Sequence, residues 1–123
     1  MHKLISFQWR ILWYVLTSAI VCVTLIPAVS FHNSILVAIF STDWTHFLAY
    51  AFVATLPMLA WERRTGIAIC FGLAMLSVGL QALRGLISGG PIDLDGTVVN
   101  LLGITAGILL SLNILTLRSH VRR

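Results

Sequence analysis

The sequence predicts an all-α polytopic membrane protein, a bundle of four transmembrane helices with its N-terminus and C-terminus both cytoplasmic. Three observations carry that expectation. The chain of 123 residues is 59% hydrophobic and only 10% charged, its mean hydropathy is +0.97, and its apolar residues fall into four long stretches. A typical soluble domain is about 45–50% apolar and about 25% charged, so lipid is the expected solvent. Crossing a hydrocarbon core ~30 Å thick takes about 20 mostly apolar residues in helix, at ~1.5 Å per residue.

The first stretch covers about 9–27 and ends at Pro27. Lys3 and Arg10 precede it and Ala28-Val29-Ser30 follows it, a pattern shared with cleaved signal peptides. The apolar run is long for a signal peptide and three more spans follow, so a retained first helix is expected. Residues 34–40 are apolar but too short to cross, which suggests an interfacial or re-entrant piece.

The second stretch, about 43–61, contains Pro57, which removes the hydrogen bond to the Val53 carbonyl and predicts a kink. A charged turn, Glu62-Arg63-Arg64, closes it before the third stretch at about 66–86. Gly89-Gly90-Pro91 and Asp95-Gly96 then give a loop, and the fourth stretch covers about 97–117. Within it, Gly103 and Gly107 form a small-xxx-small pattern that lets another helix of the bundle approach closely. Residues 1–123 form one membrane domain without internal repeats.

Orientation follows from the basic residues, which resist translocation when they flank a span. With the N-terminus inside, Lys3, Arg10, Arg63, Arg64, Arg118, Arg122 and Arg123 all fall on the cytoplasmic side, leaving only Arg84 outside. Trp9, Trp13, Tyr14 and Trp61 mark the inner interface and Trp44 the outer. The net charge of +4 is spread over span ends rather than gathered in a patch, which argues against nucleic acid as a partner. Cys22 and Cys70 fall at different expected depths and are not expected to pair.

Ionisable and amide side chains are costly in a bilayer, so those inside or bordering a span are candidates for function. Asp43, His46 and Tyr50, spaced i, i+3 and i+7, lie on one stripe of the second helix, and Gln81 and Arg84 share a face of the third. Asp93 and Asp95 occupy the outer loop and Asn100 begins the fourth helix. All are expected within roughly 10 Å of the outer boundary. Asp43 and Asp95 suit N-caps of the second and fourth helices. Arg84 suits an ion pair with Asp43, Asp93 or Asp95, or a grip on a phosphate or carboxylate. His46 and Asp43 are the candidate catalytic pair, a base and its orienting carboxylate. Their spacing is not distinctive of a metal site, and neither metal nor other cofactor is expected.

The run Asp43-Trp44-Thr45-His46-Phe47-Leu48-Ala49-Tyr50, followed by Gln81 and Arg84, an acidic loop and Asn100-Leu101-Leu102-Gly103, resembles the VanZ-like family over about 43–112. These are small bacterial membrane proteins, named for a member associated with resistance to teicoplanin. Two positions depart from the family's pattern. Val78 stands where members usually carry a glutamate, and Gly96 stands where they carry the loop aspartate. The resemblance implies a multi-pass protein of the bacterial cytoplasmic membrane. It further implies a binding site at the extracytoplasmic face for a lipid-linked or glycopeptide-type ligand, an envelope lipid or peptidoglycan precursor, or a partner protein. Two other functions fit parts of the pattern. One is an intramembrane enzyme on a lipid-linked substrate with His46 as base; the other is a small transporter, which needs an ionisable group deep in the bundle.

Overall fold

A computed structural model describes residues 2–29 and 43–121. Four helices account for nearly all of them, with no strand among the described residues: α1 (His2–Val29), α2 (Asp43–Ala60), α3 (Arg63–Ser88) and α4 (Leu94–Val121). The expected piece at 34–40 lies outside the described residues. Helix α1 continues two residues past Pro27 rather than ending there, because proline's fixed φ is itself helical.

Among the described residues, three helical segments are long and apolar enough to cross a membrane: Ser6–Leu25, Arg63–Ser88 and Leu94–Val121. Helix α2 is less apolar because Asp43, Thr45 and His46 occupy its first turn. Its position explains how it carries them. It packs against α1, α3 and α4, and Tyr50, Val53, Ala54 and Met58 from α2 form the core with Cys70 and Leu73 from α3 and Ile104 from α4. The side of α2 that remains outward presents Trp44, Leu48 and Phe52, spaced by four.

Helices α2 and α4 make the closest contact, and glycines set it. A Cβ on Gly103 would stand 2.5 Å from the Phe47 carbonyl oxygen, and one on Gly107 would overlap the Ala51 carbonyl oxygen. Both helices therefore run in the same direction, with position 103 level with 47 and 107 level with 51. The Thr55 hydroxyl adds a hydrogen bond to the Gly107 carbonyl at 3.2 Å. Without a hydrophobic drive between helices in lipid, such close backbone approach and interhelical bonding hold a bundle together.

Only Trp61 and Glu62 separate α2 from α3, so those two helices are antiparallel neighbours. The charged turn is thus shorter than the sequence suggests, and Arg63 already opens α3. At the other end of α3, Gly89 adopts φ 67°, a left-handed conformation that glycine takes without a Cβ clash, and its N–H returns to the Gly85 carbonyl.

Helix α1 docks onto the C-terminal end of α2 through carbonyls that α2 cannot satisfy itself. Pro57 has no N–H, so the Val53 carbonyl loses its intrahelical donor. The Trp13 indole N–H supplies one at 3.1 Å. Arg10 donates to the carbonyl of Ala60, the last residue of α2, with both contacts at 3.4 Å, while its guanidinium carbon lies 5.1 Å from the Trp61 ring centroid. Trp13, Tyr14 and Trp61 pack edge to face. These aromatics do more than mark an interface: they hold α1 to the bundle.

Candidate functional site

The N-terminal end of α2 gathers the polar residues, and the packing divides them into two groups that share Tyr50. The first group lines a cleft of about 240 Å³ between α1 and α2. Thr24, Thr45 and His46 stand at one end of it, and Leu16, Ala19, Ile20, Val23, Phe52 and Val53 line most of the rest. Because α1 and α2 are antiparallel, the low numbers of α1 meet the high numbers of α2. The cleft surface is apolar along nearly its whole length; Thr24, Thr45 and His46 border it only toward the N-terminus of α2, where the Thr24 hydroxyl donates to the Ile20 carbonyl at 2.8 Å.

The second group is buried where α2, α3 and α4 meet. Tyr50 is 1%, Ser77 0%, Gln81 2% and Asn100 1% exposed. Ser77 and Gln81 are one turn apart on the same face of α3. On α4, Gly96, Asn100 and Gly103 follow at one-turn spacing. Gly96 abuts Gln81 and Asp93, whereas Gly103 abuts the Tyr50 Cβ. Asn100 is held between them, and the Tyr50 phenol neighbours Ser77. Four buried side-chain oxygens of the described residues have no hydrogen-bond partner: Thr17 Oγ1, Ser77 Oγ, Gln81 Oε1 and Asn100 Oδ1. Three of the four belong to this one cluster.

Asp93 closes the cluster toward the loop. Its Oδ1 accepts the Gly96 N–H at 2.8 Å, and its carbonyl accepts the Thr97 N–H at 3.1 Å and the Thr97 hydroxyl at 2.8 Å. Asp93, not Asp95, is thus the N-cap of α4. The helix begins earlier than the Asp95-Gly96 turn expected from sequence because Gly96, lacking a side chain, fits inside the first turn against Gln81 and Asp93. Asp95 is exposed within that turn, where its charge complements the helix dipole.

The remaining sequence candidates stay outside both groups. Asp43 is exposed in the first turn of α2, and among the described residues it makes no hydrogen bond to His46. Arg84 is half-buried on α3 and forms no ion pair with Asp43, Asp93 or Asp95 among the described residues. Among those residues no three of His, Cys, Asp and Glu gather closely enough to hold a metal. Val78, where the VanZ-like pattern has a glutamate, is 43% exposed on the outward side of α3 and does not face the cluster.

Sequence reasoning missed Ser77 and Thr24, whose hydroxyls are ordinary in apolar helices. The signal for Ser77 was its i−4 spacing from Gln81. Chemically, the site combines an apolar cleft with a separate buried cluster of neutral hydroxyl and amide groups, which both donate and accept hydrogen bonds. Against family models, characterised proteins and solved structures alike, the chain shows no match.

Proposed function

We propose that this chain is a four-span, VanZ-like protein of a bacterial cytoplasmic membrane, with both termini cytoplasmic. On this reading it binds a lipid-linked or glycopeptide-type ligand of the cell envelope at its extracytoplasmic face. The observation that carries the reading is the apolar α1–α2 cleft, whose few polar neighbours all border one end. The end bordered by Thr24, Thr45 and His46 lies on the side where basic residues are scarce, and the apolar length runs toward the middle of the bundle. An outer-leaflet amphiphile has the same polarity, headgroup outward and chain inward.

Two further observations support α2 as a span. It lies beside α4 from position 47 to 55, so a bilayer crossed by α4 is crossed by α2 as well. Its 18 residues reach about 27 Å, close to the hydrocarbon thickness.

The test is lipid retention. Protein extracted in mild detergent from a bacterial host is expected to carry about one lipid per chain in native mass spectra. Ala49→Trp, which fills the cleft from a half-buried position, is expected to strip that lipid. His46→Ala is expected to weaken retention about tenfold, through loss of one headgroup hydrogen bond. Wild-type protein that binds neither lipid nor teicoplanin, or retention unchanged in folded Ala49→Trp protein, would contradict the reading.

A further inference from the structure

The end of the bundle away from His46 carries a second groove. Helix α4 runs parallel to α2 and α3 runs antiparallel to it, so the first turn of α3 meets the last turns of α4. Between them lies a cavity of about 470 Å³, lined by Arg63, Leu112, Leu115, Thr116 and Ser119. Leu112 and Leu115 are half-buried and make its apolar side, whereas Arg63, Thr116 and Ser119 are exposed.

The levels of these residues give the groove a direction. Position 51 is level with 107, which puts 57 level with about 113. Gly66 packs against the Pro57 carbonyl, so Arg63, three residues nearer the helix start, stands level with about 116. Leu112 lies one turn deeper in the bundle. Trp61, two residues before Arg63, belongs to the Trp13–Tyr14–Trp61 aromatic group, and such residues concentrate at the membrane–water interface. The groove thus passes from an apolar floor within the span to a cation at headgroup level.

Its free donors reduce to one side chain. The Thr116 hydroxyl donates to the Leu112 carbonyl at 2.9 Å and the Ser119 hydroxyl to the Thr116 carbonyl at 2.7 Å, bonds that commit both protons to the backbone of α4. The Arg63 guanidinium has no ion-pair or hydrogen-bond partner among the described residues. Glu62 makes no capping bond, and the first turn of α3 holds no acidic residue. Arg10, Arg64 and Arg118 add positive charge at this end, against Glu62 as its one acid among the described residues. A guanidinium offers a planar, weakly hydrated fork that matches a phosphate with two parallel hydrogen bonds.

We propose that the groove between α3 and α4 binds an anionic phospholipid, with Arg63 gripping the phosphate and Leu112 and Leu115 receiving the first part of an acyl chain. In the orientation proposed above this lipid belongs to the cytoplasmic leaflet, whose negative surface attracts basic residues beside a span. The groove shares no residue with the α1–α2 cleft, so the two sites stand or fall separately.

The groove is open to the surface, and its lipid is expected to exchange with detergent. Binding is therefore measured by adding lipid back to the delipidated full chain in neutral detergent and following the complex by native mass spectrometry. The Ala49→Trp chain, with its cleft filled, is titrated beside the wild type. Phosphatidylglycerol is expected to bind both chains about tenfold tighter than diacylglycerol with the same acyl chains, as one charge-assisted contact allows. Arg63→Gln is expected to erase that preference. Arg118→Gln, which removes the same charge from the same end but outside the groove, is expected to weaken binding by less than about threefold. Both arginines are exposed, so the thermal midpoint is expected to hold in both variants. Inorganic phosphate in millimolar excess is not expected to displace the lipid.

Diacylglycerol bound as tightly as phosphatidylglycerol overturns the proposal. Equal losses from the two arginine variants overturn it by showing diffuse attraction to the basic end. Displacement by inorganic phosphate overturns it in favour of a soluble-anion site. Phosphatidylglycerol binding that disappears in the Ala49→Trp chain overturns it by placing the lipid in the cleft.

Discussion

Gly107→Val is expected to separate α4 from α2 and destabilise the fold by about 3 kcal/mol, the upper end of ordinary overpacking costs. The reason is that a Cβ there meets backbone. Its obstacle is the Ala51 carbonyl oxygen, with Ala54 Cβ at 3.0 Å on the other side. A flexible side chain would move aside, but the Ala51 carbonyl is fixed by its own helix. The Thr55 hydrogen bond to the Gly107 carbonyl is lost in the same step. Gly72 and Gly79 on α3 provide the control, since a Cβ at either meets nothing within 4 Å. Alanine at those positions is expected to be neutral or mildly stabilising, by less than about 1 kcal/mol from helix propensity. Unfolding titrations in mixed micelles measure both. Equal effects at Gly107 and Gly72 would contradict the α2–α4 contact.

Trp13→Phe is expected to cost about 1–2 kcal/mol, because it leaves the Val53 carbonyl without a donor where no water competes. The effect depends on the proline. Pro57→Ala restores an N–H at position 57, which returns to Val53 within α2. In that background, Trp13→Phe is expected to lose much of its cost, a coupling of about 1 kcal/mol in a double-mutant cycle. Additive effects would mean that Trp13 acts by packing on Tyr14 and Trp61 alone, contrary to the 3.1 Å hydrogen bond.

The helices were legible in sequence because apolar length and charged ends are local signals. The boundaries of α2, α3 and α4 fell within about four residues of the stretches expected, whereas α1 begins at His2, well before the expected start near 9; Gly103 and Gly107 stand where the small-xxx-small pattern suggested a close approach. The site was less legible because it depends on which helix faces which. Asp43, His46, Tyr50, Gln81, Arg84, Asp93, Asp95 and Asn100 all border one end of the bundle, so proximity in depth suggested a single cluster. Packing instead buries Tyr50, Gln81 and Asn100 with Ser77, turns His46 toward α1, and leaves Asp43 and Asp95 at the surface. Helix faces are set by crossing geometry, which no single helix encodes.

Capping shows the same limit. Both Asp93 and Asp95 are good N-cap residues, and the choice between them turns on Gly96 packing against Gln81 from another helix. The Trp13–Val53 bond was half visible. Pro57 announced a carbonyl in need of a donor, yet nothing in the sequence said that the donor would come from α1.

Site-directed labelling of the connections tests most directly the orientation on which the account rests. In a chain with Cys22→Ser and Cys70→Ala, single cysteines replace Glu62 between α2 and α3, Ile92 between α3 and α4, and Ser119 near the end of α4. A membrane-impermeant maleimide applied to intact cells is expected to label Ile92→Cys alone, with Glu62→Cys and Ser119→Cys reacting only after lysis. Labelling of Glu62→Cys and Ser119→Cys in intact cells, with Ile92→Cys protected, would contradict the orientation, through an inverted bundle or an α2 that does not cross, and would place the buried cluster toward the cytoplasm.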